Sequence, residues 1–457
     1  MPKKVITDHT TGERKCRCFK RCGGCQLSES YSEQLARKQE KAARMLSGFG
    51  KVRDIVPMEE PYNYRCKVQT VFATDSSKRI ISGVYQSNAK KMVAVDDCML
   101  EAEVASPIVQ TIKVLMKDMR IRPFDLRTGE GILRHTLIRT SFTTGQVMVV
   151  LVTASPMLPA KNNFVKALVK AHPEITTIVH NICTNGMPLT LGERSIVLYG
   201  KGYIEDELCG CRFRISPASF YQVNPIQTEK LYSFAVEAAG IRKGVKVIDA
   251  YCGTGTIGII CAKNGAEVTG VELNKSACRD AKVNAELNGL DNIKFFNDDA
   301  GKFMQAMASR GDSCDVLVMD PPRAGASREF IGCAVKLAPE KIVYVSCSIE
   351  TLERDLRIFK REGYRASFIQ PVDMFPHTMG IENVVCLEKA EKPAEKPPVK
   401  VHEKEEQVFL KPRGKSVGRT VKKAGRPIKN TGRNVKSGGR NVKNNGRPAK
   451  NGGSRRK

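Results

Sequence analysis

Hydrophobic and polar positions change rhythm several times along the 457-residue chain. Residues 28–46 carry apolar side chains at helical spacing and predict a capped amphipathic helix, with Tyr31, Leu35, Ala42 and Met45 on one stripe. From residue 64 to about 222 the rhythm shortens. KVQTVFA, IISGVYQ, MVAVDDC, GILRHTLIRTSF, QVMVVLVTA and SIVLYG read as strands, and helices near 104–119 and 163–171 interrupt them. This predicts an α+β region of antiparallel character. Between 224 and 388 the runs VKVIDAY, EVTGVEL, IKFFNDD, DVLVMD and KIVYVSC alternate with helical segments. That alternation is the signature of an α/β, Rossmann-like, doubly wound parallel sheet, whose ligands belong at the strand C-terminal ends. From Gly418 the pattern becomes a seven-residue repeat, GRTVKKA, GRPIKNT, GRNVKSG, GRNVKNN and GRPAKNG. One apolar residue per period buries too little surface to offset chain entropy, so a disordered tail is expected.

The expected organisation is a flexible leader at 1–15, a cysteine loop with an α+β RNA-binding region at 16–219, a ligand-binding α/β domain at 220–390, and a basic tail at 391–457. Composition sharpens this. The net charge is +27, and the tail alone holds 21 Lys and Arg against 5 Glu, while the remainder is also basic. Both parts point to a polyanionic partner, and no amphipathic basic helix argues for a membrane surface. The two GRP copies also resemble an AT-hook, a minor-groove element. Most of the sixteen cysteines are scattered singly through apolar stretches, as suits a reducing cytosol. The N-terminus has no apolar core for a signal peptide, and no apolar run spans a bilayer. A cytoplasmic protein, monomeric and without an obligate protein partner, is expected.

The candidate chemistry lies at strand ends. VIDAYCGTGTIG places Gly253, Gly255 and Gly258 as G-x-G-x-x-G directly after a predicted strand, with Thr256 opening the helix and Glu272 ending the next strand. Taken alone this fits NAD and S-adenosylmethionine equally well. Asp298 and Asp299 then close the third strand, DPPRAG from Asp320 closes the fourth, and Cys347 follows the fifth. A dinucleotide site has no need for a proline-stiffened acidic loop and a cysteine at one mouth, whereas a group-transfer enzyme does. A second cluster, CRCFKRCGGC at residues 16–25, holds two iron-sulfur spellings at once: Cys18, Cys22 and Cys25 as C-x3-C-x2-C, or Cys16, Cys22 and Cys25 as C-x5-C-x2-C.

CFKRCGGCQL, SPASFYQVN, DAYCGTGTIG, VEL, MDPPRAG, VYVSC and DMFPHTMGIENVV occur in an order that resembles the RNA uracil-C5 methyltransferases, specifically the iron-sulfur-containing bacterial 23S ribosomal RNA type. The resemblance spans residues 16 to 389. It implies a class I S-adenosylmethionine-dependent fold, with Gln222, Tyr251, Glu272, Asp299 and Asp320 contacting the cofactor beside the Gly253, Gly255 and Thr256 turn. It also implies Cys347 as nucleophile, Glu382 as base, and Cys16, Cys22, Cys25 and Cys98 around a [4Fe-4S] cluster, with zinc on four thiolates as the alternative. RNA, in first place 23S ribosomal RNA, is the implied partner. The family often carries a β-barrel (TRAM) domain ahead of the cysteines. Fifteen residues precede Cys16 here, so a member without that barrel is expected, with the basic tail in part replacing it.

The roles are chemically coherent. Uracil C5 becomes a carbon nucleophile once a thiolate has added to C6, and a base must then remove the C5 proton. The helix following Cys347 is expected to favour its thiolate. The chain departs from the family pattern at Gly380 and Ile381, where His-Val is common, at Asn383 after the Glu, and at Ser348, where Asn is common. Three other readings stand beside this one: an RNA cytosine-C5 methyltransferase, which uses the same addition logic, a tRNA uridine methyltransferase, and a non-catalytic RNA-binding ribosome-assembly factor.

Overall fold

The structure, a computed structural model, describes residues 5–7, 13–86, 92–184 and 189–390; the basic tail and its expected disorder lie outside the described residues. Part of the expected leader is structured: β1 (Val5–Thr7) pairs antiparallel with β2 (Arg14–Cys16). A single turn, α1 (Phe19–Cys22), forms the cysteine loop, and α2 (Tyr31–Leu46) follows. Ser30 caps α2 in a reciprocal box with Glu33, which satisfies two otherwise unpaired amides.

The first large sheet contains β3 (Lys67–Thr74), β4 (Ile80–Tyr85), β5 (Met92–Ala94), β6 (Leu133–Thr140), β7 (Val147–Thr153), β8 (Ile175–Ile182) and β9 (Arg194–Tyr199), in the order β5-β4-β3-β6-β7-β8-β9. α3 (Ala105–Asp118) and α4 (Lys161–Ala171) pack on it. One pairing departs from the expected antiparallel character. β7 and β8 run parallel because α4 carries the chain back across the sheet. β7 is buried throughout, and its side chains alternate between two cores: Val147, Val149 and Leu151 face α3 and α4, while Met148, Val150 and Val152 face the rest of the molecule. That second face meets a hairpin of β10 (Ile204–Leu208) and β11 (Cys211–Ile215) and, beyond it, α5 (Pro225–Ala239). The boundary expected at 219/220 is therefore no gap between cores, and the chain up to Glu395 forms one compact unit.

The second sheet is β12 (Lys246–Ala250), β13 (Glu267–Glu272), β14 (Ile293–Asn297), β15 (Val316–Met319), β16 (Lys341–Ser346), β17 (Tyr364–Val372) and β18 (Glu382–Lys389). Its order is β14-β13-β12-β15-β16-β18-β17, parallel except for β18, which runs antiparallel to both neighbours. The helices between the strands are α6 (Thr256–Lys263), α7 (Lys275–Leu287), α8 (Ala300–Arg310), α9 (Arg328–Leu337) and α10 (Ile349–Arg361). Strand order reverses between β12 and β15, which opens a crevice at their C-terminal ends. Among the described residues, no helix is long and apolar enough to cross a membrane.

Candidate active site

At the end of β12 the chain turns sharply. Tyr251 adopts φ 63°, a left-handed conformation unusual for a bulky residue, and its ring packs against Phe330 at 5.2 Å. Such strain persists where surrounding structure enforces it, and it gathers at ligand sites. Gly255, at φ 80°, is required on two counts, because a Cβ there would also come within 2.7 Å of Phe295. A Cβ on Gly253 would meet nothing within 4 Å, so this backbone faces open space, with Thr256 beginning α6 beside it. Glu272, at the end of β13, accepts the Gly253 amide at 2.9 Å and the Asn274 amide at 2.6 Å. A carboxylate offers about four acceptor positions, which leaves capacity for ribose hydroxyls. Asp249 is spent internally: it accepts the Gly258 amide at 2.8 Å, ties β12 to α6, and is pushed by burial up to about 7. Asp299 caps α8 by accepting the Lys302 amide.

The reacting end lies across the switch point. Asp320 follows β15, and burial raises its carboxyl to about 7. The antiparallel register pairs Ser346 with Asn383, so the next residue on one chain segment, Cys347, comes near the preceding residue on the other, Glu382, whose carboxylate acts on its thiol. Glu382 is 3% exposed and is raised to about 8 by burial, reinforced by Asp320 and opposed by Arg323. The Cys347 thiol is also raised, by burial first and then by the Glu382 and Asp320 carboxylates, while Arg323 hydrogen-bonds to it and pulls the other way. Burial and the two carboxylates thus act against the thiolate that the α10 N-terminus is expected to favour. Tyr232 on α5, fully buried, hydrogen-bonds Gln222 and senses both Asp320 and Glu382. Nothing in the apolar pattern of its helix distinguishes it from an ordinary core tyrosine.

Cys347 opens into a cavity of about 500 Å³ lined also by Gly24, Gln26, Lys41, Arg65 and Arg323. The cysteine loop thus forms part of the wall. α2 holds the opposite segment, and here the expected apolar stripe is corrected: its buried residues are Gln34, Lys38, Ala42 and Leu46. Lys38 Nζ pairs with Asp373 at 2.6 Å and donates to Phe375 O at 3.1 Å. Gln34 Oε1 accepts the His377 amide, while its Nε2 meets His377 Nδ1 at 3.2 Å. These bonds fix the segment that delivers Glu382.

Cys16, Cys18, Cys22, Cys25 and Cys98 line a separate cavity of about 190 Å³, with Arg65 and Gly24 shared between it and the Cys347 cavity. Cys18 is buried, donating to Ala94 O at 3.7 Å and accepting from Arg21. Burial, then neighbouring thiols, pushes Cys25 up to about 12. Among the described residues, no three His, Cys, Asp or Glu side chains are drawn together as a ready metal-ion site.

Comparison with known proteins agrees with this architecture. The family described as tRNA (Uracil-5-)-methyltransferase matches residues 30–390. An uncharacterized RNA methyltransferase of Halalkalibacterium halodurans is 40% identical over 382 residues, covering 82% of this chain and 83% of its own. One from Listeria monocytogenes is 40% identical over 380 residues, with 82% and 83% covered. The crystal structure of Pyrococcus abyssi tRNA (uracil-54, C5)-methyltransferase in complex with S-adenosyl-L-homocysteine superposes with a TM-score of 0.68 at 28% identity, covering 84% of this chain and 91% of that one. With a class I methyltransferase fold and a family match across most of its length, the chain belongs to the tRNA (uracil-5-)-methyltransferase family and is an S-adenosylmethionine-dependent RNA methyltransferase.

Proposed function

We propose that this enzyme methylates C5 of a uridine in RNA, in first place 23S ribosomal RNA, with Cys347 as nucleophile and Glu382 as base. The observation that carries the reading is a juxtaposition: Cys347 directly follows Ser346, whose strand partner Asn383 directly follows Glu382, and the Glu382 carboxylate acts on the Cys347 thiol. Addition chemistry on one pyrimidine ring requires a thiol and a base on neighbouring atoms, C6 and C5. When bound, S-adenosylmethionine supplies the electrophilic methyl group as a sulfonium. Tyr251, Gly253, Gly255, Thr256, Glu272 and Asp299 fit its nucleoside end, and Gln222 and Asp320 its reacting end. Cys347 Sγ, as a thiolate that Arg323 stabilises, adds to C6 and pushes the C5–C6 electron pair into an enolate, so that C5 becomes the carbon a bound sulfonium would alkylate, with the thioether as leaving group; Glu382 then takes the C5 proton, and its electron pair restores the double bond as the C6–Sγ bond breaks. Lys41, Arg65 and Arg323 suit the anionic backbone around the target.

The same reading assigns Cys16, Cys22, Cys25 and Cys98 to a [4Fe-4S] cluster. It is supported by their shared cavity and by the electrostatic influence of Cys16 and Cys22 on Cys25 and of Cys25 on Cys98. Anaerobically purified protein is expected to contain about four irons per chain with a broad visible absorbance. Stoichiometric zinc would replace that assignment.

Cys347→Ala is expected to abolish methyl transfer, whereas Glu382→Gln should accumulate a covalent RNA adduct that migrates slowly under denaturing conditions. No adduct during turnover would remove Glu382 from the role of base, and retained function in Cys347→Ala would favour the assembly-factor reading. A transfer RNA substrate is the second reading, because the Pyrococcus abyssi relative acts on uracil-54 of tRNA. Mapping 5-methyluridine in both RNA classes from a deletion strain decides: loss from 23S ribosomal RNA supports the first, loss from tRNA alone the second. A 5-methylcytidine product overturns the uracil assignment.

A further inference from the structure

The site described so far leaves unused a further cavity of about 450 Å³ where α2 and α10 lie together, lined by Arg44, Phe49, Glu353, Arg357, Lys360 and Arg361, with Met45 and Gly48 completing it. Four cations face one carboxylate, and Glu353 is already paired with Arg357 at 2.6 Å. Lys360 Nζ donates to Gly48 O at 3.0 Å and lies 5.8 Å from the Phe49 ring centre. Among the described residues, Arg44 and Arg361 have no carboxylate partner. Unpaired like charges gathered round one concavity repel each other, and a bound polyanion relieves that repulsion.

The same two helices also border the Cys347 cavity. Lys41, one turn before Arg44 on α2, lines the Cys347 cavity and pairs with Glu350 on the first turn of α10 at 2.8 Å. From Glu350 to Arg361 the helix rises about 16 Å, the reach of a few nucleotides. The two helices therefore carry a track from the Cys347 cavity to the basic one.

We propose that the α2/α10 cavity binds the sugar-phosphate backbone of the substrate RNA a few nucleotides from the target base, with Arg44 and Arg361 on phosphates and Phe49 beneath a base. The site rests on the RNA reading but not on which uridine is methylated. Arginines contact phosphates, and aromatic faces accept any base, so the site adds affinity and register without reading sequence.

The test is the Arg44→Gln/Arg361→Gln double variant of the full chain, with filter binding of an in vitro 23S ribosomal RNA transcript and of total tRNA across a salt series. Two lost phosphate contacts should lower the slope of log affinity against log salt by about 1.4 to 1.8 and weaken binding about tenfold at low salt. S-adenosylhomocysteine affinity reports that the variant is folded. An Arg242→Gln/Lys243→Gln variant, which removes two exposed cations in the turn before β12, serves as charge-matched control and should leave the slope unchanged. A slope in the α2/α10 variant equal to wild type for both RNAs, or an equal fall in the control, would overturn the proposal. If wild-type enzyme transfers no methyl group to RNA, the uracil reading fails while this binding comparison still decides the site.

Discussion

Glu382 and Cys347 are both held mainly in their protonated forms at neutral pH by burial, and one cation, Arg323, opposes this at both. The pH dependence follows. In the proposed mechanism both groups work deprotonated, so kcat/KM should rise with pH through about 8, where Glu382 titrates, and keep rising above it because the thiol is held higher still. Arg323→Gln removes the stabilising positive charge and should move that rising limb to higher pH; a limb that stays in place would show that Arg323 does not tune the pair. Stability carries the opposite sign. The folded-state pKa of Glu382 lies above its unfolded value, so its contribution is complete below about 4.5 and is lost as pH rises through about 8. Glu382→Gln should therefore gain thermal stability over wild type more at pH 9 than at pH 6, as measured by Tm.

The element that most departs from its sequence pattern is α2. Its buried stripe begins with Gln34 and Lys38 because its first half packs against a segment of backbone carbonyls, a carboxylate and an imidazole, whereas Ala42 and Leu46 in its second half join the apolar core of the second sheet. Tyr31 Oη joins by donating to Asp373 at 2.9 Å. Removing one partner of a buried ion pair leaves an uncompensated charge, so Lys38→Met should cost about 3 to 5 kcal/mol in denaturant unfolding. Lys38→Met/Asp373→Leu should recover part of it. Retained stability in the single variant would show that Asp373 is satisfied by Tyr31 alone. The five strands β12–β16 were legible because each is a short run of apolar residues bounded by turn signals. β8, β10, β11 and β17 were not, since ITTIVHNI, IEDEL, CRFRI and YRASFIQPV mix polar residues into strands and break the apolar run or alternation that marks one.

At the scale of the whole molecule, the two sheets share a core through β7, the β10–β11 hairpin and α5, and the cysteine loop reaches the Cys347 cavity through Gly24 and Gln26. Damage to the cysteine loop should therefore raise KM for RNA more than it changes binding of S-adenosylhomocysteine; the ratio of the two in a Cys25→Ser variant checks this. The chain beyond residue 390 holds 21 Lys and Arg, and non-specific phosphate binding is the role expected of them. Ending the chain there should leave the single-turnover methylation rate intact and reduce both RNA affinity and its salt slope. An unchanged slope would mean that the tail does not touch the substrate.

The sequence by itself determined the parallel sheet, its glycine turn and the strand-end positions of Glu272, Asp320 and Cys347, because these depend on local periodicity and turn chemistry. Only the tertiary structure decided that Cys347 comes near Glu382, that Lys38 and Gln34 are buried, and that α2 and α10 together form a basic track. Each depends on contacts between residues 35 or more positions apart, where neither hydrophobic rhythm nor residue type specifies the partner.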